Sequence, residues 1–231
     1  KEKRPAWLPS DIKLSPNPEV VFFTGCTEAY RMQPLAAATA KLLDKAGVKF
    51  NILGEDEWCC GSPLIRTGQT DVVTDEKDGL VKHNLKEFER RNAKTVVTAC
   101  AGCFMTLKHN YPIYAGKLDF ELLHLTQFID KLISSRKLVL KKPLPKRIAY
   151  HDPCHIGRHN GIYDQPRTVL AKVPGLELVE EEMARATGST LPPTFAAFAH
   201  RNYRLYWFGN LTSLIDISPY KFDGPGGTGA Q

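Results

Sequence analysis

The stretch VVFFTGC, residues 20–26, is an apolar, β-rich run that closes on a glycine and a cysteine. With Glu19 it reads as a buried strand at 19–23, because a short apolar run bounded by turn residues suits a strand covered on both faces. Outward from it, PLAAATAKLLDKAG (34–47) reads as a helix, with Pro34 in the first turn and Gly47 just past the last. VKFNIL (48–53) reads as a second strand. AKTVVTAC (93–100) is a third, running into Cys100, and FELLHLT (120–126) a fourth, followed by a helix at 126–135. RIAYHDPC (147–154) is a fifth and ends in Cys154. Strands alternating with helices predict α/β layers and parallel pairing. Cys26, Cys100 and Cys154 each follow a predicted strand, and open α/β sheets gather ligands beyond the carboxyl ends of their strands.

Between the second and third strands lies EDEWCCGSP (55–63). Neighbouring cysteines suit a disulfide with each other poorly, since bridge geometry needs Cα atoms about 4.4–6.8 Å apart and a defined torsion. Gly61 lets backbone approach a bulky group closely. Ser62 and Pro63 read as a helix start, with serine as the cap. Residues 71–91 read as one long charged helix with an apolar stripe of Leu80, Val81, Leu85 and Phe88. Cys103 sits at the start of a further helix running through FMTLKHN.

The chain has 231 residues, 42% of them apolar and 24% charged, which is the make-up of an ordinary globular protein. The net charge of +6 is mild and no basic block stands out, so a nucleic-acid partner is not expected. No apolar run reaches the roughly 18 residues that a membrane-crossing helix needs. The sequence opens KEKRPAW, without a methionine or an apolar signal segment, and reads as a fragment or a processed chain. Residues 1–18 hold four prolines and read as a linker or lead-in arm. A reducing compartment, the cytoplasm, is expected. There, patterned cysteines point to metal or catalysis rather than to disulfides.

An internal repeat organises the rest. VVFFTGC (20–26) answers to IAYHDPC (148–154), and PLAAATAKLLDKAGVKFNIL (34–53) answers to PRTVLAKVPGLELVE (166–180). The first unit is expected at 19–146 and a truncated second unit at 147–183. The double cysteine of the first unit has no counterpart in the second, where Thr187 stands at the matching distance, so the repeat is expected to break near residue 183. Within 184–231, HRNYRLYWFGNLTSL resembles the start of a major-facilitator-type transporter, and the chain ends in DGPGGTGAQ. This tail reads as a foreign end or, in a functional reading, as an amphipathic membrane-surface helix.

The cysteines Cys26, Cys59, Cys60, Cys100 and Cys103 form the spacing C–x32–CC–x39–C–x2–C. Soft thiolates select iron–sulfur clusters, zinc or copper(I). Five sulfurs exceed what a tetrahedral zinc uses. A structural zinc module using four of them remains the alternative, as does a metal-free dithiol oxidoreductase built on Cys100 and Cys103. Cysteine also fills core space as a small apolar residue. Cys154 is a sixth candidate ligand. His151, Cys154, His155 and His159 have a spacing that suits a local zinc site and equally suits ordinary loop residues. Asp56 and Glu57 would raise, not lower, the pKa of neighbouring thiols and are given no catalytic role. His83, His109 and His124 read as structural.

Over roughly residues 19–183 the chain resembles the cysteine-rich CCG domain family, through TGC at 24–26, CCG at 59–61, TACAGC at 98–103 and HDPCHIGRHNGIYDQPR at 151–167. That family includes catalytic subunits of heterodisulfide reductases and iron–sulfur subunits of lactate, glycolate and glycerol-3-phosphate oxidoreductases. The resemblance implies a parallel-sheet α/β domain repeat, here with its first copy complete and its second truncated. It implies a four-iron four-sulfur cluster of the non-cubane kind, held by Cys26, Cys59, Cys60, Cys100 and Cys103, or zinc in a repeat kept as a structural site. It also implies electron transfer with a flavoprotein or ferredoxin-type subunit, a disulfide as substrate, and peripheral membrane association through a partner.

Overall fold

A computed structural model describes residues 4–75, 77 and 79–179 of the chain. Its centre is β1 (Val20–Phe22), all three residues of which are buried, as an apolar run covered on both faces requires. β1 pairs in parallel with β2 (Phe50–Ile52) on one side and β3 (Thr95–Thr98) on the other, and β3 pairs in parallel with β4 (Glu121–His124). The order β2-β1-β3-β4 bears out the α/β class and the parallel pairing read from the sequence. It also creates a switch point. The chain leaves β1 for one edge and later crosses to the other, which makes the carboxyl ends of β1 and β3 the place where such sheets gather ligands.

After β1 come α1 (Cys26–Tyr30) and α2 (Gln33–Lys45). α2 buries Ala36, Thr39, Ala40 and Leu43, the i, i+3, i+4, i+7 stripe of a helix lying on a sheet. Ala36, Ala40 and Leu43 pack with Phe22, Phe50 and Val97 on one face. Fully burying a side chain such as Phe22 contributes on the order of 1.5–3 kcal/mol. Between β2 and β3 lie α3 (Ser62–Arg66), α4 (Thr70–Thr74) and α5 (Leu80–Arg90). Between β3 and β4 lie α6 (Ala101–Met105), a π-helical turn at Thr106–Asn110, and α7 (Tyr111–Ala115). The opposite face of the sheet, Val21, Phe23 and Val96, is covered by Val81 and Phe88 of α5 together with Leu107 and Tyr111. α8 (Leu125–Ser134) follows β4.

The second copy begins with β5 (Lys146–Ala149), α9 (Gly157–Asn160), α10 (Asp164–Ala171) and β6 (Leu176–Val179). β5 and β6 pair in a sheet of their own. The tail expected at 184–231, with its transporter-like stretch, lies outside the described residues, as does Thr187. No helix among the described residues is long and apolar enough to cross a membrane.

Several expectations are corrected. The lead-in is no loose linker from Arg4 onward: Trp7 and Ile12 are buried in the core beside Phe22, and Arg4 is itself buried. Its prolines stiffen a segment held by packing, with Trp7 edge-on to Phe22 at 5.9 Å. The single helix expected at 71–91 is two, α4 and α5. The break starts at Asp75, whose side chain accepts the Lys77 N–H at 2.8 Å in an Asx-type turn. Ser62 does not cap α3. Gly61 takes that place in the left-handed region, at φ +87°. The strand expected to run into Cys154 ends at Ala149, so Cys154 lies in the following loop.

Candidate metal centre

The crevice beyond the strand ends is where the five cysteines of the first copy meet. Cys26 opens α1, just past β1. Cys59 and Cys60 precede α3 in the connection that leaves β2. Cys100 is the N-cap of α6, and Cys103 lies inside its first turn. Three separate crossovers therefore deliver sulfur to one place. Cys60 and Cys103 are buried, each 4% exposed, while Cys26, Cys59 and Cys100 are half-buried.

The thiols form one continuous hydrogen-bonded chain. Cys26 donates to Cys59, and Cys59 donates to Cys60. Cys103 donates both to Cys60 and to Cys100. The charges follow from this order. Cys100 accepts from the Cys103 thiol and, against its burial, is held down to about 6, helped by the backbone N–H groups of Cys103 and Gly102. The Cys103 N–H lies 3.4 Å from its sulfur. Cys60 is held well below the ordinary thiol value by the thiols of Cys103 and Cys59. The donors move the other way. Cys26 and Cys103 are raised, each first by the hydrogen bond it gives and then by burial. Cys59 accepts from Cys26, which lowers it, yet its own donation to Cys60 and its burial leave it raised. Cys60 and Cys100 are thus the thiols shifted toward the thiolate and the other three are shifted away from it, a donor set that releases protons when metal enters.

Two glycines make the convergence sterically feasible. Gly25 has φ +78° and ψ 160°, and a Cβ there would lie 2.9 Å from the Cys103 sulfur. Gly61 would bring a Cβ to 3.0 Å from Val73. TGC therefore holds glycine where two cysteine-bearing loops pass with no room for a side chain, and CCG holds it where the loop passes against Val73.

A surrounding layer was missed by reasoning from the sequence. Glu57 is buried, and its carboxylate accepts the backbone N–H groups of Thr24 at 2.8 Å and Gly25 at 2.7 Å. It also pairs with Arg4 at 2.6 Å, and Arg4 donates to the Cys26 sulfur at 3.3 Å. Burial pushes Glu57 up to about 7 against the pull of Arg4. Asn84, fully buried on α5, accepts from the Trp58 N–H at 3.1 Å and donates to the Cys59 carbonyl at 3.1 Å and the Tyr111 hydroxyl at 3.0 Å. A signal for Asn84 existed: it is a polar residue on the stripe of Val81 and Phe88. Glu28, on α1, is 3% exposed, and its Oε2 has no hydrogen-bond partner among the described residues. Burial first, then Cys100 and Glu57, raise it to about 8.

The remaining candidates separate from this group. Cys154 is exposed and takes no part in the sulfur chain among the described residues. His155 stands near the crevice, its Nδ1 3.9 Å from where a Cβ on Gly102 would be, and its Nε2 meets Arg66 at 2.5 Å. Its ring lies 5.6 Å from that of His159. Of the histidines expected to be structural, His83 stacks on Trp58 at 3.8 Å, His109 bonds Asn160 at 2.9 Å, and His124 caps α8. Among the described residues, no three His, Cys, Asp or Glu side chains are gathered for a single metal ion.

A family model, CCG: Cysteine-rich domain, matches residues 20–108 and, in a shorter segment, 148–188, past the break expected at 183. A dihydromethanophenazine:CoB–CoM heterodisulfide reductase subunit of Methanosarcina barkeri is 48% identical over 183 residues, which cover 79% of this chain and 44% of that protein. A fumarate reductase (CoM/CoB) subunit of Methanothermobacter marburgensis is 39% identical over 77% of this chain and 34% of its own length. The EtfAB:quinone oxidoreductase of Syntrophomonas wolfei is 37% identical over 78% of this chain and 24% of its own length. The chain thus spans less than half the length of each of these relatives. No solved structure matches.

Proposed function

The chain belongs to the cysteine-rich CCG domain family, and from that premise we propose that it is the iron–sulfur-bearing part of an electron-transferring oxidoreductase. The observation that carries this reading is that three loops bring five cysteines, two buried and three half-buried, to the carboxyl ends of the parallel strands, with Gly25 passing against the Cys103 sulfur. The residues fit the group. Five soft donors suit iron and sulfide, two of them are shifted toward the thiolate, and Gly25 leaves open the space against Cys103 that a Cβ would take. Five sulfurs exceed what one tetrahedral ion uses and suit a group with several metal atoms. Cys26, Cys59, Cys60, Cys100 and Cys103 would hold it, and the finer proposal is a four-iron four-sulfur cluster of the non-cubane kind. Such a group, when bound, supplies reversible electron storage whose potential the protein sets.

The chain's own residues position and shield. Cys60 and Cys103 anchor from the buried side, and Glu57 and Asn84 fix the loops that carry Cys26 and Cys59. The relatives' names support partner oxidoreductase subunits and, through the heterodisulfide reductase, a disulfide as the substrate reduced; the family resemblance extends the proposal to a flavoprotein or ferredoxin-type electron partner and a cytoplasmic site of action at a membrane reached through a partner.

Iron, acid-labile sulfide and zinc per chain, measured with a visible spectrum on protein prepared without oxygen, test the proposal. About four irons with four sulfides, lost in Cys59→Ser and Cys60→Ser, is the expected result. One zinc without iron, or full iron and sulfide retained in both variants, overturns it.

A further inference from the structure

Arg4 belongs to none of the cysteine loops, yet it reaches the centre. It is 7% exposed, and its guanidinium forks. Nη1 pairs with Glu57 at 2.6 Å and Nη2 donates to the Cys26 sulfur at 3.3 Å, while the group lies 5.3 Å from the centroid of the Tyr30 ring. Glu57 in turn holds the Thr24 and Gly25 N–H groups, so one carboxylate joins the lead-in to the turn that presents Cys26. A guanidinium cannot shed its proton in a protein, and a charge shielded from water acts more strongly on its neighbours than one in solvent.

We propose that Arg4 is a positioning residue that raises the reduction potential of the group bound at Cys26, through its N–H···S hydrogen bond and its fixed positive charge. This rests on the iron–sulfur reading above. Potentials of such centres follow net charge, hydrogen bonds to the ligating sulfurs and solvent exposure. Reduction adds one negative charge. Arg4 stabilises that charge at Cys26, while Glu57 offsets part of the effect and keeps the guanidinium aimed at the sulfur. A residue serving only as counter-ion to Glu57 would matter for folding and leave the potential alone.

The test is a redox titration of the full chain, prepared without oxygen and followed by electron paramagnetic resonance. Dithionite supplies one electron through mediator dyes, and no bond of the protein forms or breaks. Glu57→Gln is compared with Glu57→Gln/Arg4→Gln, so that no uncompensated carboxylate is left buried. Arg4→Lys keeps the charge but cannot reach Glu57 and Cys26 together. Arg31→Gln removes an exposed charge five residues from Cys26. Glu57→Gln is expected to raise the midpoint above wild type. Loss of Arg4 in that background is expected to lower the reduced-to-oxidised ratio at a fixed potential about tenfold, equivalent to about 59 mV for a one-electron couple. Arg4→Lys should move the midpoint the same way by less, and Arg31→Gln should leave it in place. Equal midpoints with and without Arg4, at wild-type iron, overturn the inference. If the double variant loses its iron, Arg4→Lys decides alone, and a wild-type midpoint there overturns it. A wild-type chain that takes up no iron and sulfide overturns the iron–sulfur reading itself, an outcome seen before any titration.

Discussion

Replacing Gly25 with alanine tests how the crevice is built. The backbone at this position, φ +78° and ψ 160°, lies in a region that is essentially restricted to glycine. Holding a side-chain-bearing residue there costs on the order of 1–3 kcal/mol. The new Cβ would also stand 2.9 Å from the Cys103 sulfur. Cys103 is buried and tied to both Cys60 and Cys100, so it has little room to give. Overpacking a filled site costs a further ~1–3 kcal/mol, for a total of about 2–6 kcal/mol. Gly47→Ala is the control: φ is +68°, and nothing lies within 4 Å of the added carbon. It carries left-handed strain alone, about 1–2 kcal/mol. Urea unfolding of the metal-free chain gives the two costs, and iron per chain after anaerobic reconstitution reads the sulfur geometry. Gly25→Ala is expected to lose more stability than Gly47→Ala and to take up less iron, while Gly47→Ala keeps wild-type iron. If both variants unfold alike and bind iron alike, the close approach at Cys103 does not shape the site, and the reasoning fails.

Three further outcomes are expected. In the metal-free chain, alkylation of Cys100 by iodoacetamide should rise with pH through about 6, because its thiolate is stabilised, while Cys26, whose thiol is raised, stays unreactive at neutral pH. Peptide mass spectra showing Cys26 modified first would contradict the order of the sulfur chain. Cys154→Ser should leave iron content at the wild-type level, since Cys154 is exposed and outside that chain; loss of iron would place it among the ligands. His124 is buried and held below its ordinary value by that burial, with Nε2 on the Ala99 carbonyl at 3.0 Å. Its folded pKa is depressed, so the neutral ring contributes stability fully present above the unfolded value of about 6.5 and lost as pH falls. Wild type should therefore lose stability relative to His124→Asn between about pH 7 and 5, and an unchanged gap between their urea midpoints would refute this.

The frame was legible because its signals are local. Val20, Val21 and Phe22 are apolar with no alternation, which marks a strand covered on both faces. The stripe of α2 repeats at helical spacing and ends at Gly47. Cysteines placed just after strands then imply a meeting at one sheet edge, because parallel strands deliver their carboxyl ends to the same side. The errors were also local in origin. Residues 71–91 carry helical periodicity on both sides of Asp75, and periodicity does not register a turn made by one side chain. Ser62-Pro63 has the composition of a capped start, but the neighbouring Gly61 has the freedom to adopt the cap conformation itself.

Arg4 and Glu57 were illegible for a different reason. They stand 53 residues apart, and nothing in the composition around either one reports the other. A carboxylate two residues before a double cysteine reads as an electrostatic burden on the thiols, and in isolation it would be one. Its burial reverses that reading. Enclosed and paired with a guanidinium, Glu57 directs its acceptor capacity to the Thr24 and Gly25 N–H groups, while the guanidinium reaches past it to Cys26. The group acting directly on the sulfur is thus a cation. The anion holds the cation and the turn in register. Removing the anion alone would leave a buried charge unpaired, at a cost of about 3–5 kcal/mol. Iron content must therefore stand at the wild-type level in Glu57→Gln before its midpoint is compared with that of the double variant, which leaves neither charge buried alone.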